Sequence, residues 1–337
     1  MSPSADTGPR PDGRLALLPA LFVIGAICQY VGASIAVPLF DDLNPAAVAW
    51  LRTVGAGAAL LAIWWPLAGW RWPRVGVSFG GRRLLIASAF GLVTLGMNVS
   101  FYLAIDHIDL GVAVAIEFLG PIVVAAAGSR RLTDGIAVLV VLVGVVLLSG
   151  ASLSGSPIGV LFALMAAALW AGYILIGKAV SGGGTSEQPW RDGIDDLAIG
   201  LSMAGVICAP LIIGVSTATD PGALWDWRIL ALGVGVGVLS SAIPYLLDQI
   251  VLVRLARARF ALLLALLPVT AAVVGAVMLA QIPSPAELCG IALVIAAIVF
   301  TARDERGRDA GHGVGSGSED ETAPDVRDGI APGALPG

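Results

Sequence analysis

Three charged side chains lie inside otherwise apolar stretches of this sequence, and they are its best candidates for chemistry. They are Arg52, Glu117 and Asp248. Burying one such group in a membrane-spanning helix costs roughly 2.5–3.5 kcal/mol on insertion scales, so these residues usually face the protein interior or a water-filled path. A carboxylate there can bind an ammonium group or carry a proton, and a guanidinium can bind a carboxylate. The alternative for each carboxylate is a neutral, hydrogen-bonded acid within the helix packing.

The composition excludes most soluble classes of protein. Hydrophobic residues make up 57% of the 337 residues and charged residues 13%, whereas about 25% charged residues is usual for soluble domains. The net charge of -5 and the absence of a basic cluster argue against nucleic-acid binding. The three cysteines lie in apolar runs and only two histidines are present, so we predict no disulfide framework, no metal site and no cofactor.

Ten apolar runs have about the length needed to cross a bilayer as helices. A hydrocarbon core about 30 Å thick takes about 20 helical residues, and none of the runs alternates in polarity as barrel strands would. The sequence therefore predicts an all-α integral membrane protein with ten transmembrane helices. The predicted spans are residues 15–40, 46–68, 84–105, 110–128, 134–150, 157–180, 196–215, 229–253, 258–280 and 286–302.

The distribution of basic residues predicts the orientation in the membrane. With the N-terminus in the cytoplasm, 17 of the 19 Lys and Arg residues fall on the cytoplasmic side, Arg228 falls outside and Arg52 lies within a span. Because short cytoplasmic loops collect basic residues, we expect both termini inside the cell and the protein in the plasma or inner membrane. The polar head, residues 1–14, and the acidic tail, residues 303–337, are predicted to be disordered.

The second half of the chain repeats features of the first. Shifting the sequence by 147 residues places Pro121 on Pro268, and shifts of 140 and 155 residues align the flanking spans. Residues 15–150 and 157–302 are therefore predicted to form two units of five spans each. Because five is odd, the second unit must enter the membrane in the opposite orientation. Inverted repeats are common in transporters, where the substrate site lies near the midplane between the halves.

Several short sequence stretches, spread over residues 20–302, match the motifs of a known family in residue type and in order. They are QYVGASIA (29–36), GMNVSFYLAI (96–105), LGVAVAIEFLGP (110–121), SRR (129–131), LWAGYIL (169–175), LSSAIPY (239–245) and RL (254–255). Together they resemble the threonine and homoserine exporters of the EamA-type branch of the drug/metabolite transporter superfamily. Those exporters have a glutamate in the eighth span where this chain has Asp248, which keeps the charge and shortens its reach.

The resemblance implies a central cavity lined by spans 1, 3, 4, 6, 8 and 9. Asn98 and Tyr102 are four residues apart, as are Tyr245 and Gln249, so each pair shares one helix face. The predicted substrate or proton path comprises Gln29, Tyr30, Arg52, Asn98, Tyr102, Glu117, Trp170, Tyr173, Tyr245, Asp248 and Gln249.

The Arg52 side chain has three candidate binding partners. With the predicted orientation it lies near the outer end of the second span, at about the depth of Glu117. It is expected to bind a substrate carboxylate, to pair with Glu117, or to extend toward Asp41 and Asp42 near the membrane surface. An arginine in this span is typical of the EamA-type family, which favours a structural or gating role.

We therefore expect a secondary transporter that exports small amino acids or related metabolites, driven by the proton gradient. Its partners would be a small-molecule substrate, protons and the lipid bilayer. One alternative is efflux of cationic drugs or amphipathic metabolites, for which Glu117 and nearby aromatic rings would supply the partners. A more distant alternative is an intramembrane enzyme. The spans show no nucleophile–base pair and no metal-ligand cluster, so we predict no enzymatic activity.

The charge distribution makes a prediction about topology. Reporter fusions at residues 42, 108, 153 and 221 should report the outside, and fusions at residues 76, 131, 186, 256 and the C-terminus should report the cytoplasm. A paired phosphatase and fluorescent-protein reporter at each site provides the measurement. A C-terminus found outside the cell would contradict both the orientation and the inverted repeat.

Overall fold

All regular structure in the described part of the chain is helical. The computed structural model describes residues 13–67, 81–127, 132–153, 156–181, 189–219, 222–254, 260 and 263–315. Short 3-10 turns occupy Val37–Asp41 and Ala223–Trp225, and a π turn occupies Val238–Ala242. The α-helices are α1 (Gly13–Ala36), α2 (Pro45–Leu67), α3 (Gly81–Ile105), α4 (Leu110–Glu117), α5 (Leu119–Ala127), α6 (Leu132–Leu153), α7 (Pro157–Ser181), α8 (Pro189–Thr219), α9 (Trp227–Gly237), α10 (Ile243–Arg254), α11 (Leu266–Met278) and α12 (Pro285–Gly315).

The predicted spans coincide with these helices. Within the described residues, seven helical stretches are long and apolar enough to cross a membrane, and three further apolar helices, Gly135–Leu148, Leu266–Met278 and Pro285–Phe300, are shorter. The prediction of an all-α, multi-span membrane protein is therefore confirmed. The seven longer stretches are Leu17–Asp41, Pro45–Ala62, Leu84–Ile105, Leu110–Ala127, Pro157–Ile176, Asp196–Thr219 and Trp227–Asp248.

The last helix extends past the predicted boundary at residue 302. Helix α12 continues to Gly315 and so includes residues 303–315 of the predicted tail. These residues include arginine, glutamate and alanine, which favour a helix once the preceding turns have formed. Residues 316–337 of the tail and residues 1–12 of the head lie outside the described residues, and their disorder stays a prediction.

Large apolar side chains cover the outside of the helix bundle. Val146, Val206 and Leu211 are 68%, 70% and 68% exposed, although each lies well inside a helix. Leaving such a side chain in water forgoes roughly 1.5–3 kcal/mol of burial, whereas lipid tails accept it. Trp225 and Trp227 are also exposed, at the start of α9. Tryptophans favour the boundary between lipid and water, so the surface of the bundle fits a membrane.

Two helices break at equivalent positions in the two halves of the chain. Phe118 separates α4 from α5 and precedes Pro121 by three residues, and Ala265 is a turn that precedes Pro268 by three residues. A proline offers no N–H to the carbonyl four residues earlier, and its ring crowds that carbonyl. The repeat spacing of 147 residues therefore relates the breaks as well as the prolines.

Corresponding helices also make corresponding contacts. Under the repeat, α1, α2 and α3 correspond to α7, α8 and the α9–α10 pair, while α4–α5 corresponds to α11 and α6 to α12. The contact of α3 with α7 then corresponds to that of α10 with α1, and the contact of α2 with α9 to that of α8 with α3. All four contacts are present. The pairs α2–α8, α4–α11 and α6–α12 correspond to themselves, and each pair packs together.

The closest helix approaches occur at glycines. A Cβ atom at Gly91 would collide with the backbone carbonyl of Gly200, and a Cβ atom at Gly237 would collide with that of Arg52. The first approach joins α3 to α8 and the second joins α9 to α2, which are corresponding contacts. Small residues at these crossings let the helix backbones approach closely, which is a main source of helix association in lipid.

The glycine contacts predict a difference between two alanine substitutions on the same helix. A Cβ atom at Gly200 would lie 2.7 Å from the Ala87 carbonyl oxygen, whereas a Cβ atom at Gly214 meets nothing within 4 Å. Overpacking of this kind costs roughly 1–3 kcal/mol, so Gly200→Ala should lower the melting temperature in detergent. Gly214→Ala should leave it unchanged or raise it, since alanine favours helix by about 1 kcal/mol over glycine. Equal shifts for both variants would contradict the close approach of α8 to α3.

Candidate functional site

Helix α4 carries Glu117 at its carboxyl end, deep inside the bundle. All 8 residues of α4 are buried. The helix stops at Glu117, four residues before Pro121, which has no N–H to offer the Glu117 carbonyl. The carboxyl end of a helix carries partial negative charge. The Glu117 carboxylate and the backbone carbonyls at this break together create a region of negative potential in the protein interior.

The other end of α4 is held by the second half of the chain. The Leu110 N–H donates to Gln281 Oε1 at 3.0 Å. Gln281 follows α11, and its own N–H donates to the Gly275 carbonyl at 3.1 Å. Asp109, which precedes α4, makes no side-chain hydrogen bond to cap it. Contacts from both halves of the chain therefore fix the position of Glu117.

The Glu117 carboxylate is buried without a close partner. It makes no hydrogen bond, and no ion pair within 4.0 Å, to any residue that the structure describes. Arg52 interacts with it electrostatically from further away. The next residue, Phe118, packs edge-on against Trp170, with ring centroids 4.9 Å apart. A buried carboxylate with no partner is poorly solvated, so it is well suited to accept a cation or a proton.

Arg52 donates to the π turn between α9 and α10. Its Nε donates to Ser241 Oγ at 2.9 Å, and its Nη2 donates to the Ser240 carbonyl at 3.2 Å. Pro244 explains why that carbonyl is available, because a proline lacks the N–H that would bond the carbonyl four residues earlier. The helix widens into a π turn at the same place. The guanidinium of α2 thus replaces a backbone donor that the second half of the chain lacks.

These bonds correct two of the partners expected for Arg52. Among the described residues, Arg52 forms no ion pair with Glu117, Asp41 or Asp42. Its donors go instead to Ser241 Oγ and to the Ser240 carbonyl, for which Pro244 offers no backbone N–H. Contact between Arg52 and a substrate carboxylate stays a prediction.

Tyr102 lies beneath the Arg52 guanidinium. The Arg52 Cζ atom is 5.3 Å from the centroid of the Tyr102 ring, within the range of a cation–π contact. Tyr102 is 0% exposed, and the Phe40 ring packs against it with centroids 5.6 Å apart. The Tyr102 hydroxyl has no hydrogen-bond partner in the described part of the chain, although Ser240 and Arg52 approach it.

The remaining tyrosines lie in the neighbourhood of Glu117 and Asp248. Tyr30 and Tyr245 are each within electrostatic range of Glu117, of Asp248 and of Arg52. Tyr173 interacts with Tyr245 and Asp248, and its ring packs on Phe90 at 4.5 Å. The structure therefore brings together most of the predicted path, drawn from α1, α2, α3, α4, α7 and α10. The residues so connected are Tyr30, Arg52, Tyr102, Glu117, Tyr173, Tyr245 and Asp248.

The other predicted residues stand apart from this network. Asn98 is buried one turn before Tyr102, and Gln29 is half-buried beside Tyr30. Neither amide is hydrogen-bonded by a residue that the structure describes. Trp170 reaches the site only through its contact with Phe118. The side chain of Gln249 lies outside the described residues.

Sequence reasoning missed the residues that hold Arg52. Ser240 and Ser241 are buried and supply both of its acceptors, and Pro244 exposes one of them. The available signal was a pair of serines shortly before a proline in the middle of an apolar run. Gln281 was missed as well, because a long-range cap between two distant segments leaves no local pattern.

Comparisons with known proteins agree with this architecture. A model of the EamA-like transporter family matches residues 157–303. The threonine/homoserine exporter RhtA of Salmonella typhimurium is 36% identical over 284 residues, which cover 83% of this chain and 90% of that protein. The exporter of the same name from Escherichia coli is 34% identical over the same length. A solved crystal structure, 20% identical, shares the fold with a TM-score of 0.56 over 86% of this chain and 98% of its own.

The geometry predicts that lysine cannot replace arginine at residue 52. A lysine offers a single charged point, so Arg52→Lys keeps at most one of the two bonds to the π turn and loses the planar contact with Tyr102. Losing a hydrogen bond made by a charged group costs about 1.5–3 kcal/mol, and the melting temperature in detergent should fall. Arg228→Lys, at an exposed position on α9, is the matched control and should change little. An equally stable Arg52→Lys protein would contradict the role of the π turn.

Proposed function

Since this chain belongs to the EamA-like transporter family, we propose that it exports small amino acids of the threonine and homoserine type. The chain is a multi-pass membrane protein and not an enzyme. The substrate proposal is supported by the identity of 36% to an exporter of that name, over 83% of this chain. It is also supported by the groups gathered between the halves, because a free amino acid carries one positive and one negative charge.

The observation that carries this proposal is the state of the Glu117 side chain. Its carboxylate is buried, ends a broken helix and has no close partner among the described residues. An ammonium group placed there would gain a full charge partner together with the partial negative charge of the helix end. The tyrosines that interact with Glu117 would supply hydroxyl groups for a polar side chain such as that of threonine.

We further propose that all ten apolar helices span the membrane as an inverted repeat of five and five. Corresponding helices pack in corresponding pairs, and corresponding helices break before Pro121 and Pro268. The family match at residues 157–303 begins and ends close to the second predicted unit. Such a repeat would let the same site open to either side of the membrane by exchanging the conformations of the two halves.

The proposed orientation puts both termini in the cytoplasm and the protein in the cell membrane. It is supported by the distribution of the 19 Lys and Arg residues. In this orientation α4 runs inward from the outer surface, so Glu117 lies in the outer half of the membrane. Asp248 lies in the inner half, near the cytoplasmic end of α10.

Coupling to protons is proposed for the same pair of carboxylates. An acid that faces each side in turn can take up a proton on one side and release it on the other. Glu117 and Asp248 lie at different depths, and Tyr30 and Tyr245 interact with both. Binding of a proton and of a substrate ammonium at Glu117 would then be mutually exclusive, which is the basis of exchange.

A second candidate substrate class is amphipathic cations. The Phe118 and Trp170 rings beside Glu117 would suit a cation that carries an apolar group. A counterflow panel in proteoliposomes, with radiolabelled threonine, homoserine, neutral amino acids and a hydrophobic cationic dye, decides between the classes. Exchange of the dye but of no amino acid would contradict the amino-acid proposal.

The role of Glu117 in coupling leads to a specific prediction. Glutamine keeps the size of glutamate but neither titrates nor pairs its charge with the substrate ammonium, so Glu117→Gln should abolish uphill export at every substrate concentration, while exchange at equal concentrations persists only at higher substrate concentrations than the wild type needs. The measurement compares both activities in proteoliposomes with and without a proton gradient. Glu287→Gln, in the first turn of α12, is the matched control and should couple normally. If the Glu117→Gln protein still concentrates substrate, Glu117 does not carry the proton.

A further inference from the structure

The Tyr102 hydroxyl is the least explained polar group in the described part of the chain. Tyr102 is 0% exposed, and although Ser240 and Arg52 approach its hydroxyl, neither forms a hydrogen bond with it. Leaving a buried hydroxyl unpaired is unfavourable, and a phenylalanine at this position would avoid that cost. In a transporter, an unpaired buried hydroxyl has a simple explanation if its hydrogen-bond partner is the cargo and not the protein.

Arg52 supplies a second donor at the same place. The π turn occupies Nε and Nη2, which leaves Nη1 and its two N–H groups without an acceptor among the described residues. The bonds to Ser240 and Ser241 hold the guanidinium in a fixed orientation above Tyr102.

We infer that Arg52 and Tyr102 form a subsite for the carboxylate of the transported amino acid, opposite Glu117. The inference rests on the proposed function, because it names how that same site recognises the second charge of its substrate. The carboxylate would accept from Arg52 Nη1 on one oxygen and from the Tyr102 hydroxyl on the other. Ser240, Ser241 and Pro244 are positioning residues, since they hold the guanidinium and do not touch the cargo.

The separation of the charges fits this assignment. Arg52 and Glu117 interact electrostatically, yet their charged atoms are not within 4.0 Å of one another. A direct ion pair would consume both groups. Held apart, they offer one cationic and one anionic point to a molecule that carries the complementary two. A cation without a carboxylate would use Glu117 alone and leave the Arg52 subsite empty.

Tyr102 is sealed in the present conformation, so the subsite must open during the cycle. The Tyr102 ring is covered by Phe40, which lies in the 3-10 turn after α1, and by the Arg52 guanidinium. Movement of α1 relative to α3 would uncover the hydroxyl. This fits a transport cycle in which the cargo site is accessible in some states and closed in others.

The test removes the Tyr102 hydroxyl and measures whether the affinity falls only for a substrate that carries a carboxylate. Tyr102→Phe and wild-type proteoliposomes exchange radiolabelled threonine against increasing amounts of two competitors, unlabelled threonine and threonine amide. The amide keeps the ammonium and the side chain but has no carboxylate. Losing a hydrogen bond to a charged group weakens binding by about tenfold or more. We expect that loss for threonine, and a change of less than about threefold for the amide.

Ser34→Ala is the matched control, because Ser34 carries the other buried hydroxyl without a partner among the described residues. It should change neither affinity. The melting temperature of Tyr102→Phe should equal or exceed that of the wild type, since the removed group has no partner. A lower melting temperature would mean that the hydroxyl has a structural partner, and it would overturn the inference.

Two further affinity results would overturn the proposed subsite. Equal weakening for threonine and its amide would show that Tyr102 shapes the path without reading the carboxylate, and unchanged affinities would show no contact. Either result overturns the subsite while wild-type exchange still supports the proposed function. If the wild-type protein exchanges no amino acid at all, the proposed function fails first, and the subsite falls with it.

Discussion

A proline inside a membrane helix leaves one backbone carbonyl without its usual donor, and no water is present in the bilayer to replace it. Within the described ranges, three such carbonyls lie at helix breaks, at Ser240, Glu117 and Leu264. The first is satisfied by Arg52, which ties α2 to the π turn. The second places a backbone oxygen beside the only buried carboxylate of α4. Missing backbone bonds thus decide where the polar groups of an otherwise apolar bundle lie.

The proline alone does not break a helix. Pro210 lies inside α8, and that helix is continuous from Pro189 to Thr219. At the π turn, the Arg52 guanidinium supplies hydrogen bonds to the widened segment. Sequence reasoning could locate the apolar helices from composition and spacing, and together with the family resemblance it named most of the polar residues that the structure gathers around Glu117 and Arg52. It could not locate the π turn or the Gln281 cap, because both depend on donors and acceptors more than 150 positions apart in the chain, at separations of 188 and 171.

The two halves share a scaffold but divide the chemistry. The approach of Gly237 to Arg52 corresponds to the approach of Gly91 to Gly200, so equivalent helices cross at equivalent points. One crossing carries a guanidinium and the other a glycine. In the same way the repeat sets Glu117 against Leu264. A duplicated framework of this kind would supply the two related conformations that transport needs, while single copies of the charged residues would make the proposed path chemically asymmetric.

That asymmetry bears on how a small cargo could move the helices. A ligand shifts a conformational equilibrium only by its difference in affinity for the two states. The acceptors that hold Arg52 in the present state are a neutral carbonyl and a neutral hydroxyl. A carboxylate makes charge-assisted bonds that are roughly twice as strong as neutral ones. In the proposed subsite an arriving carboxylate would therefore add a strong bond at Arg52 Nη1 while Nε and Nη2 keep the π turn, at the junction of α9 and α10 that packs against both α1 and α2. A cation that binds Glu117 alone has no such effect. Arg52 would then both bind the carboxylate of the cargo and link that binding to the π turn between α9 and α10.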